Sequence, residues 1–272
     1  MTTSASPMSQ PLLSTTAYLE AVARDSGEIA AAAYEAGPGA PVPSCPGWTV
    51  ADLVEHLGNV QRWAAAMVST LALDRIDRSA MNEEPSADAL LPWFEAASAR
   101  LVETLAAADP SAPIWTFTPD HTVRFWFRRQ AQEAAVHRWD AEHALGRRAP
   151  IDAELAADGV AEWLDLTTVR AAAKLVGRGE TVHLHCTDTG RMGTESTGSA
   201  STGHTGTNAG EWLVSLTPDG PTVDPIHAKG DVAARGTASD LDLFLWGRVD
   251  ADALEVFGDA GLLERFRDAG FA

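Results

Sequence analysis

The sequence is poor in cysteine and in positive charge, and both shortages limit what the protein can be. Its 272 residues include only two cysteines, Cys45 and Cys186, which lie too far apart for a CxxC metal motif or a disulfide framework. Lysine and arginine total 20 against 38 acidic residues, so the formal net charge is −18. Because such a chain repels phosphate backbones, we expect no nucleic-acid partner.

Long apolar runs are also missing. No stretch approaches the roughly 18 uninterrupted apolar residues of a membrane-spanning helix, and residues 1–11 lack the basic and apolar regions of a signal peptide. We therefore expect no membrane association, and the sparse cysteines favour a cytoplasmic location. The remaining composition, 45% hydrophobic and 21% charged, is that of a globular protein with one large domain or two ordinary ones.

Helical periodicity dominates the first half of the chain. Residues 1–11 are small and polar and predict a flexible tail. Residues 12–148 then contain four segments in which apolar residues recur at helical spacing. The predicted helices cover about residues 12–34, 49–68, 87–107 and 124–145. Four helices of this length predict an all-α four-helix bundle.

The pattern changes after residue 148. One further helix is followed by the strand-like runs TVHLHCT, EWLVSLT and DVAARGT, then by a helix capped by Ser239, a strand and a closing helix. Short connections favour antiparallel pairing of the middle strands. The sequence therefore predicts a second, α+β domain over residues 149–272 with a mainly antiparallel sheet. Residues 190–210 are rich in Gly, Ser and Thr and predict a flexible loop.

His56 lies inside the apolar stripe of the second predicted helix, on the face of Leu53 and Val60. Glu133 and His137 are four residues apart in the fourth helix, so their side chains lean toward one point. Two imidazoles and one carboxylate form the ligand set of many open zinc sites, and a buried carboxylate without a partner is costly. The alternative is a neutral core histidine and a separate Glu–His pair, but three such groups on inward stripes favour a metal site.

Asp140 follows His137 by three residues and has two interpretations. Its carboxylate either orients a metal-binding imidazole or pairs at the surface with Arg138 or Arg129. The residues alone do not choose between these interpretations.

Other reactive side chains have plainer interpretations. His183 and His185 point to the same face of one predicted strand, and without a third ligand nearby they indicate a half-exposed sheet face rather than a metal site. Cys45, before the second helix, is interpreted as a structural loop cysteine rather than a nucleophile. Four tryptophans flank these elements; they could line a ligand pocket but are interpreted by default as core residues: Trp48, Trp63, Trp126 and Trp139.

Five segments of the chain form a recognisable set: VPSCPGWTVADLVEHLGNVQRW, EAAVHRWDAE, VHLHCTD, GEWLV and GTASDLDLFLWGR. Together they resemble the mycothiol-dependent maleylpyruvate isomerase family, over about residues 12–268. That family joins a DinB-like four-helix metal-binding bundle to a C-terminal α+β domain similar to sterol carrier proteins. The resemblance implies that the metal ligands are His56, Glu133 and His137.

The resemblance also implies a chemistry. A divalent metal, zinc or another, would bind mycothiol at an open position and lower the pKa of its sulfur. The thiolate would add to the double bond of maleylpyruvate, or to another small electrophile if the protein is a thiol S-transferase. Asp140 and Arg248 are candidate catalytic residues. Arg248, in LWGR, would bind an anionic substrate or thiol, and Arg129 is a weaker candidate for this anion binding.

The sequence is also compatible with a protein that binds ligands but is not an enzyme. The bundle could hold metal without catalysis, while the C-terminal domain binds a small apolar ligand. The sequence leaves open the physiological substrate, the identity of the metal and whether the protein is a monomer or a small homo-oligomer.

Overall fold

The computed structural model describes residues 13–189 and 210–271. The chain divides into two compact units, one that ends at Ile151 and one that begins at Asp152. The predicted tail and nearly all of the predicted Gly/Ser/Thr-rich loop lie outside the described residues.

The N-terminal unit is built from four long helices that pack as a bundle, as the sequence predicts. Helices α1 and α4 pack against each other, as do α2 and α3. The helices are α1 Thr15–Ala36, α2 Val50–Thr70, α3 Leu90–Ala107 and α4 Val123–His143. Their apolar stripes meet in a core in which Leu53, Leu57, Phe94 and Trp126 have no exposed surface.

Helix α2 begins with a capping box. The Asp52 backbone N–H donates to the Thr49 hydroxyl at 3.3 Å, and the Thr49 backbone N–H donates to the Asp52 carboxylate at 2.7 Å. Both bonds satisfy N–H groups that a helix start leaves unpaired. Because the helix start is fixed, the side chains one and two turns later take defined positions on the bundle.

The C-terminal unit is an α+β structure with a mostly antiparallel sheet, as predicted. The sheet order is β3-β2-β1-β4-β5, with one parallel pair, β1 with β4. The elements are α5 Ala153–Arg170, β1 Glu180–Cys186, β2 Glu211–Thr217, β3 Gly220–Asp224, β4 Val232–Gly236, α6 Ala238–Leu245, β5 Glu255–Gly258 and α7 Ala260–Phe271.

The sheet has one covered face. On β1 the side chains of Val182, Leu184 and Cys186 are buried, and helices α6 and α7 pack against the central strands. Since side chains alternate along a strand, His183 and His185 belong to the opposite face. Among the described residues, no helix has the length and apolar character needed to cross a membrane.

Two local predictions differ from the structure. Strand β3 was not predicted, because GPTVD is short and contains glycine and proline; at the sheet edge the missing N–H of Pro221 is tolerated. The N-cap of α6 is Thr237 rather than Ser239. Thr237 has an extended backbone and its hydroxyl accepts from the Asp240 N–H at 3.1 Å, whereas Ser239 is buried inside the first turn.

Candidate metal centre

The structure brings the side chains of His56, Glu133 and His137 together in the N-terminal unit. One nitrogen or carboxylate oxygen from each lies within 4.8 Å of the other two. The imidazole centroids of His56 and His137 are 5.3 Å apart, edge to face. The two helical stripes that suggested a shared site therefore do converge.

Two helices position these side chains. Helix α2 presents His56 about two turns after its N-cap, Thr49, and α4 presents Glu133 and His137 on successive turns. His137 is buried, whereas His56 and Glu133 are half-buried. The cluster thus lies at the edge of the core, where a small molecule could reach it.

Asp140 fixes the orientation of His137. Its carboxylate oxygen is 2.9 Å from His137 Nδ1, and its side chain has no exposed surface. A carboxylate only accepts, so the proton lies on Nδ1 and the lone pair on Nε2, the arrangement found in metal-binding histidines. This contact agrees with the interpretation in which Asp140 orients an imidazole.

Glu133 is held as an anion by its neighbours. Burial raises its pKa, but the Arg129 guanidinium, with smaller effects of the His137 and His56 rings, outweighs burial and lowers the pKa from 4.5 to about 2. Arg129 Nη2 donates to Glu133 Oε2 at 2.7 Å. Arg129 therefore contacts the cluster through Glu133, and its action on an anionic ligand stays a prediction.

The donor set fits a divalent cation. Two imidazoles and a carboxylate are ligands that zinc and its neighbours accept, at about 2.0–2.2 Å from the ion. Three donor atoms within 4.8 Å of one another can reach a common ion with small side-chain rotations. Three protein ligands leave one position of a tetrahedral ion for another molecule.

A surface cavity of about 320 Å³ adjoins His56. Its lining is mainly polar: Gly47, Trp48, Asp52, Glu55, His56, Asn59, Arg78 and Asn82. Burial, with the charges of Glu84 and Asp52, raises the pKa of Glu55, whereas hydrogen bonds from Thr49 lower that of Asp52. Two carboxylates of the same wall thus differ in how readily they take up a proton.

Trp48 forms part of this wall, the alternative to a core position that the sequence left open for it. Its ring centroid lies 5.0 Å from that of His56 and 6.4 Å from that of His137. A turn places it there: the Trp48 N–H donates to the Cys45 carbonyl at 2.9 Å, and Gly47 has φ +86° after Pro46, as in a type II turn. In the sequence, the pair Pro46-Gly47 is typical of such a turn. The other three tryptophans are core residues, as predicted.

The other predicted residues have separate environments. Arg248 follows α6 in the C-terminal unit, and its Nη1 donates to the Trp246 carbonyl at 2.7 Å; its action on an anionic ligand stays a prediction. Cys45 is half-buried, packs against the apolar cluster of the bundle and donates its N–H to the Val42 carbonyl at 3.0 Å. These contacts agree with a structural role for Cys45.

Two family models match the chain in succession. The mycothiol maleylpyruvate isomerase N-terminal domain matches residues 19–142, and the MDMPI C-terminal domain, of the same enzyme, matches residues 154–265. No curated protein sequence matches the chain significantly.

Solved structures with the same fold include two crystal structures of the mycothiol-dependent maleylpyruvate isomerase. One has 14% sequence identity and a TM-score of 0.56. The other, a histidine-to-alanine mutant, has 13% identity and a TM-score of 0.58. Each similarity covers 90% of this chain and 93% of that chain. At these identities the likeness establishes the fold.

Proposed function

The chain belongs to the mycothiol-dependent maleylpyruvate isomerase family of enzymes, and on that premise we propose that it holds a divalent metal, zinc by preference, to activate mycothiol. The proposed ligands are His56, Glu133 and His137. The observation that carries the proposal is the convergence of these three side chains beside a surface cavity.

The chain's own residues prepare the site. Asp140 holds His137 in the tautomer that offers Nε2, and Arg129 holds Glu133 as a carboxylate. A zinc ion held by the three ligands would lower the pKa of a thiol in its fourth position, which makes the nucleophilic thiolate available near neutral pH.

The cavity beside His56 suits a hydroxyl-rich thiol such as mycothiol. Carboxylate, amide and guanidinium groups line it and can exchange hydrogen bonds with sugar hydroxyls. Trp48 adds a flat apolar surface next to both imidazoles. The proposed reaction partner is a small electrophile, maleylpyruvate or a related compound, and the proposed location is the cytoplasm, where low-molecular-weight thiols stay reduced.

In the proposed reaction the thiolate sulfur forms a bond to one carbon of an activated double bond, and the π electrons move onto the adjacent carbonyl group as an enolate. Rotation about the resulting single bond, return of the electron pair and cleavage of the carbon–sulfur bond would release an isomer and the thiolate. If the enolate carbon instead takes up a proton, the carbon–sulfur bond persists, the product is a thioether and the protein is a thiol S-transferase. Arg248 is proposed to bind a carboxylate of the substrate.

Metal analysis of the purified protein tests the ligand assignment. We expect the wild type to contain stoichiometric zinc and His56→Ala to lose one equivalent and to bind mycothiol more weakly. His121→Ala is the matched control, because His121 is exposed in the loop before α4. If His56→Ala and the wild type hold the same metal and bind the thiol equally, the ligand assignment is wrong.

Activity measurements test the thiol dependence. We expect conversion of maleylpyruvate, or coupling of thiol to an electrophile, only when mycothiol is added, and we expect Glu133→Gln to lose most of that activity. Equal rates of conversion with and without mycothiol would exclude a thiol-dependent reaction. No conversion under either condition would leave a non-catalytic binding protein as the better description.

A further inference from the structure

A second group of histidines lies in the C-terminal unit. His183 and His185 share the face of β1 opposite its buried apolar side chains. Strand β2 begins at Glu211, which stands directly across from His185 in the antiparallel register. The register supplies a carboxylate beside the two imidazoles, which the sequence alone could not show.

His227 completes the group. It lies between β3 and β4, and its Nδ1 is 2.6 Å from Glu211 Oε2. Its ring centroid is 5.4 Å from that of His183 and 6.0 Å from that of His185. Three imidazoles therefore surround one carboxylate, and each ring approaches the other two.

His183 is the histidine of this group whose hydrogen-bonding capacity is not satisfied. Its side chain is 6% exposed, and its Nε2 is buried with no hydrogen-bond partner in the part of the chain that the structure describes. The nearest carboxylate oxygen, Glu211 Oε2, is 3.7 Å away, too far for a hydrogen bond. A buried polar nitrogen without a partner is costly, so this nitrogen points to a ligand that completes it.

We propose that His183, Glu211 and His227 form a second divalent-metal site. One donor atom from each lies within 4.8 Å of the other two, so all three can reach one ion. Imidazole and carboxylate donors select a transition-metal ion such as Zn²⁺ rather than Mg²⁺ or Ca²⁺, which take oxygen ligands.

The surroundings suit such a site. His183 and Glu211 stand on paired strands, which hold donor atoms more rigidly than loops do. His227 is the exposed member, with 68% of its side chain accessible, so an ion can enter past it. His185 Nε2 is 3.3 Å from Glu211 Oε1 and can hold the carboxylate in place while its other oxygen binds the ion.

Zinc stoichiometry of the full-length protein tests the site. The protein is stripped with a chelator, equilibrated with Zn²⁺ in a competing metal buffer and assayed for bound zinc. We expect two equivalents in the wild type, one in His227→Ala, one in His56→Ala and none in the double variant. His121→Ala, which removes an exposed histidine from the N-terminal unit, should keep both.

The variants separate this inference from the proposed function. Zinc that remains in His56→Ala and disappears with His227→Ala supports the second site even if the bundle binds none. The inference is overturned if His56→Ala binds no zinc, or if His227→Ala holds as much zinc as the wild type. Because His227 is exposed, its loss should leave the circular dichroism spectrum unchanged; Glu211→Gln provides a second variant with the same expected loss.

Discussion

At the scale of single residues, the candidate centre depends on side chains behind the proposed ligands. Asp140 is completely buried and touches His137 Nδ1, the ring atom that would not bind the ion. Arg129 similarly engages one oxygen of Glu133. We therefore propose that both are positioning residues, each acting through the group it contacts.

Replacing Asp140 tests this role. We expect Asp140→Asn to weaken zinc binding by about 10–100-fold, because the amide no longer favours the tautomer with the lone pair on Nε2. Competition with a chelator of known affinity measures the change. The matched control is Glu142→Gln on the same helix, whose carboxylate pairs with Arg138 instead. Equal losses in both variants would point to a general change in α4 and contradict the positioning role.

Much of the candidate centre could be predicted from local sequence. His56 stands in an apolar helical stripe, and Glu133 and His137 are spaced by one turn, so helical geometry alone suggests that they meet. Trp48 could not be placed in the same way, because its position depends on how a turn directs the chain. Glu211 and His227 could not be found either, since strand register and loop path bring them to His183.

At the scale of elements, the start of α2 and its packing on α3 hold His56 in place. The capping box fixes the first turn, and Gly58, two residues after His56, lets the Trp93 ring of α3 lie directly on the helix. Both features give measurable predictions.

Removing the cap should destabilise the bundle. We expect Thr49→Ala to lower the free energy of unfolding by about 1 kcal/mol, while Thr49→Ser, which keeps the hydroxyl, changes it little. Hydrogen bonds from Thr49 lower the pKa of Asp52 below 3.8. The stabilisation linked to that carboxylate is therefore complete well above pH 3.8 and is lost as the pH falls below it. Urea unfolding across pH, with NMR titration of Asp52, should show the Thr49→Ala difference shrinking in acid.

A pair of glycine variants tests the packing of α2 against α3. A Cβ at Gly58 would overlap the Trp93 ring, so we expect Gly58→Ala to destabilise the protein by about 1–3 kcal/mol. Gly27, on α1, has nothing within 4 Å of such a Cβ, and Gly27→Ala should stabilise by about 0.5–1 kcal/mol. Thermal unfolding compares the two. If the Gly58→Ala variant is more stable than the wild type, the close approach of the Trp93 ring to α2 is not required for stability.

The helices were easier to predict than the strands for a physical reason. Helical bonds join residues four apart, so periodicity within a short window is informative. Strand pairing is non-local: the parallel pairing of β1 with β4 joins Val182 to Val232 across two intervening strands. The five-residue β3 has little pattern of its own and forms because β2 offers it an edge.

At the scale of the whole molecule, the two units carry separate groups of side chains that could bind metal ions. His56, Glu133 and His137 precede Ile151, whereas His183, Glu211 and His227 follow Asp152. The formal charge of −18 favours cations at either place and disfavours polyanions.

We expect a fragment of residues 13–151 to fold alone and to bind one equivalent of zinc, because it contains all four helices and the three proposed ligands of the bundle. Circular dichroism and metal analysis of the fragment check this, with its His56→Ala variant as the metal-free control. A fragment that stays unfolded would show that the bundle depends on the C-terminal half of the chain.

The position of Trp48 has a practical consequence. Because the indole lies 5.0 Å from one imidazole and 6.4 Å from another, we expect its fluorescence to change when those rings gain a proton or bind an ion. The chain has nine tryptophans, and a Trp48→Phe protein supplies the emission of the other eight for subtraction. In a stopped-flow instrument, the difference in emission would measure the rate at which an ion binds to the bundle and the rate at which a thiol binds after it. No added label is needed.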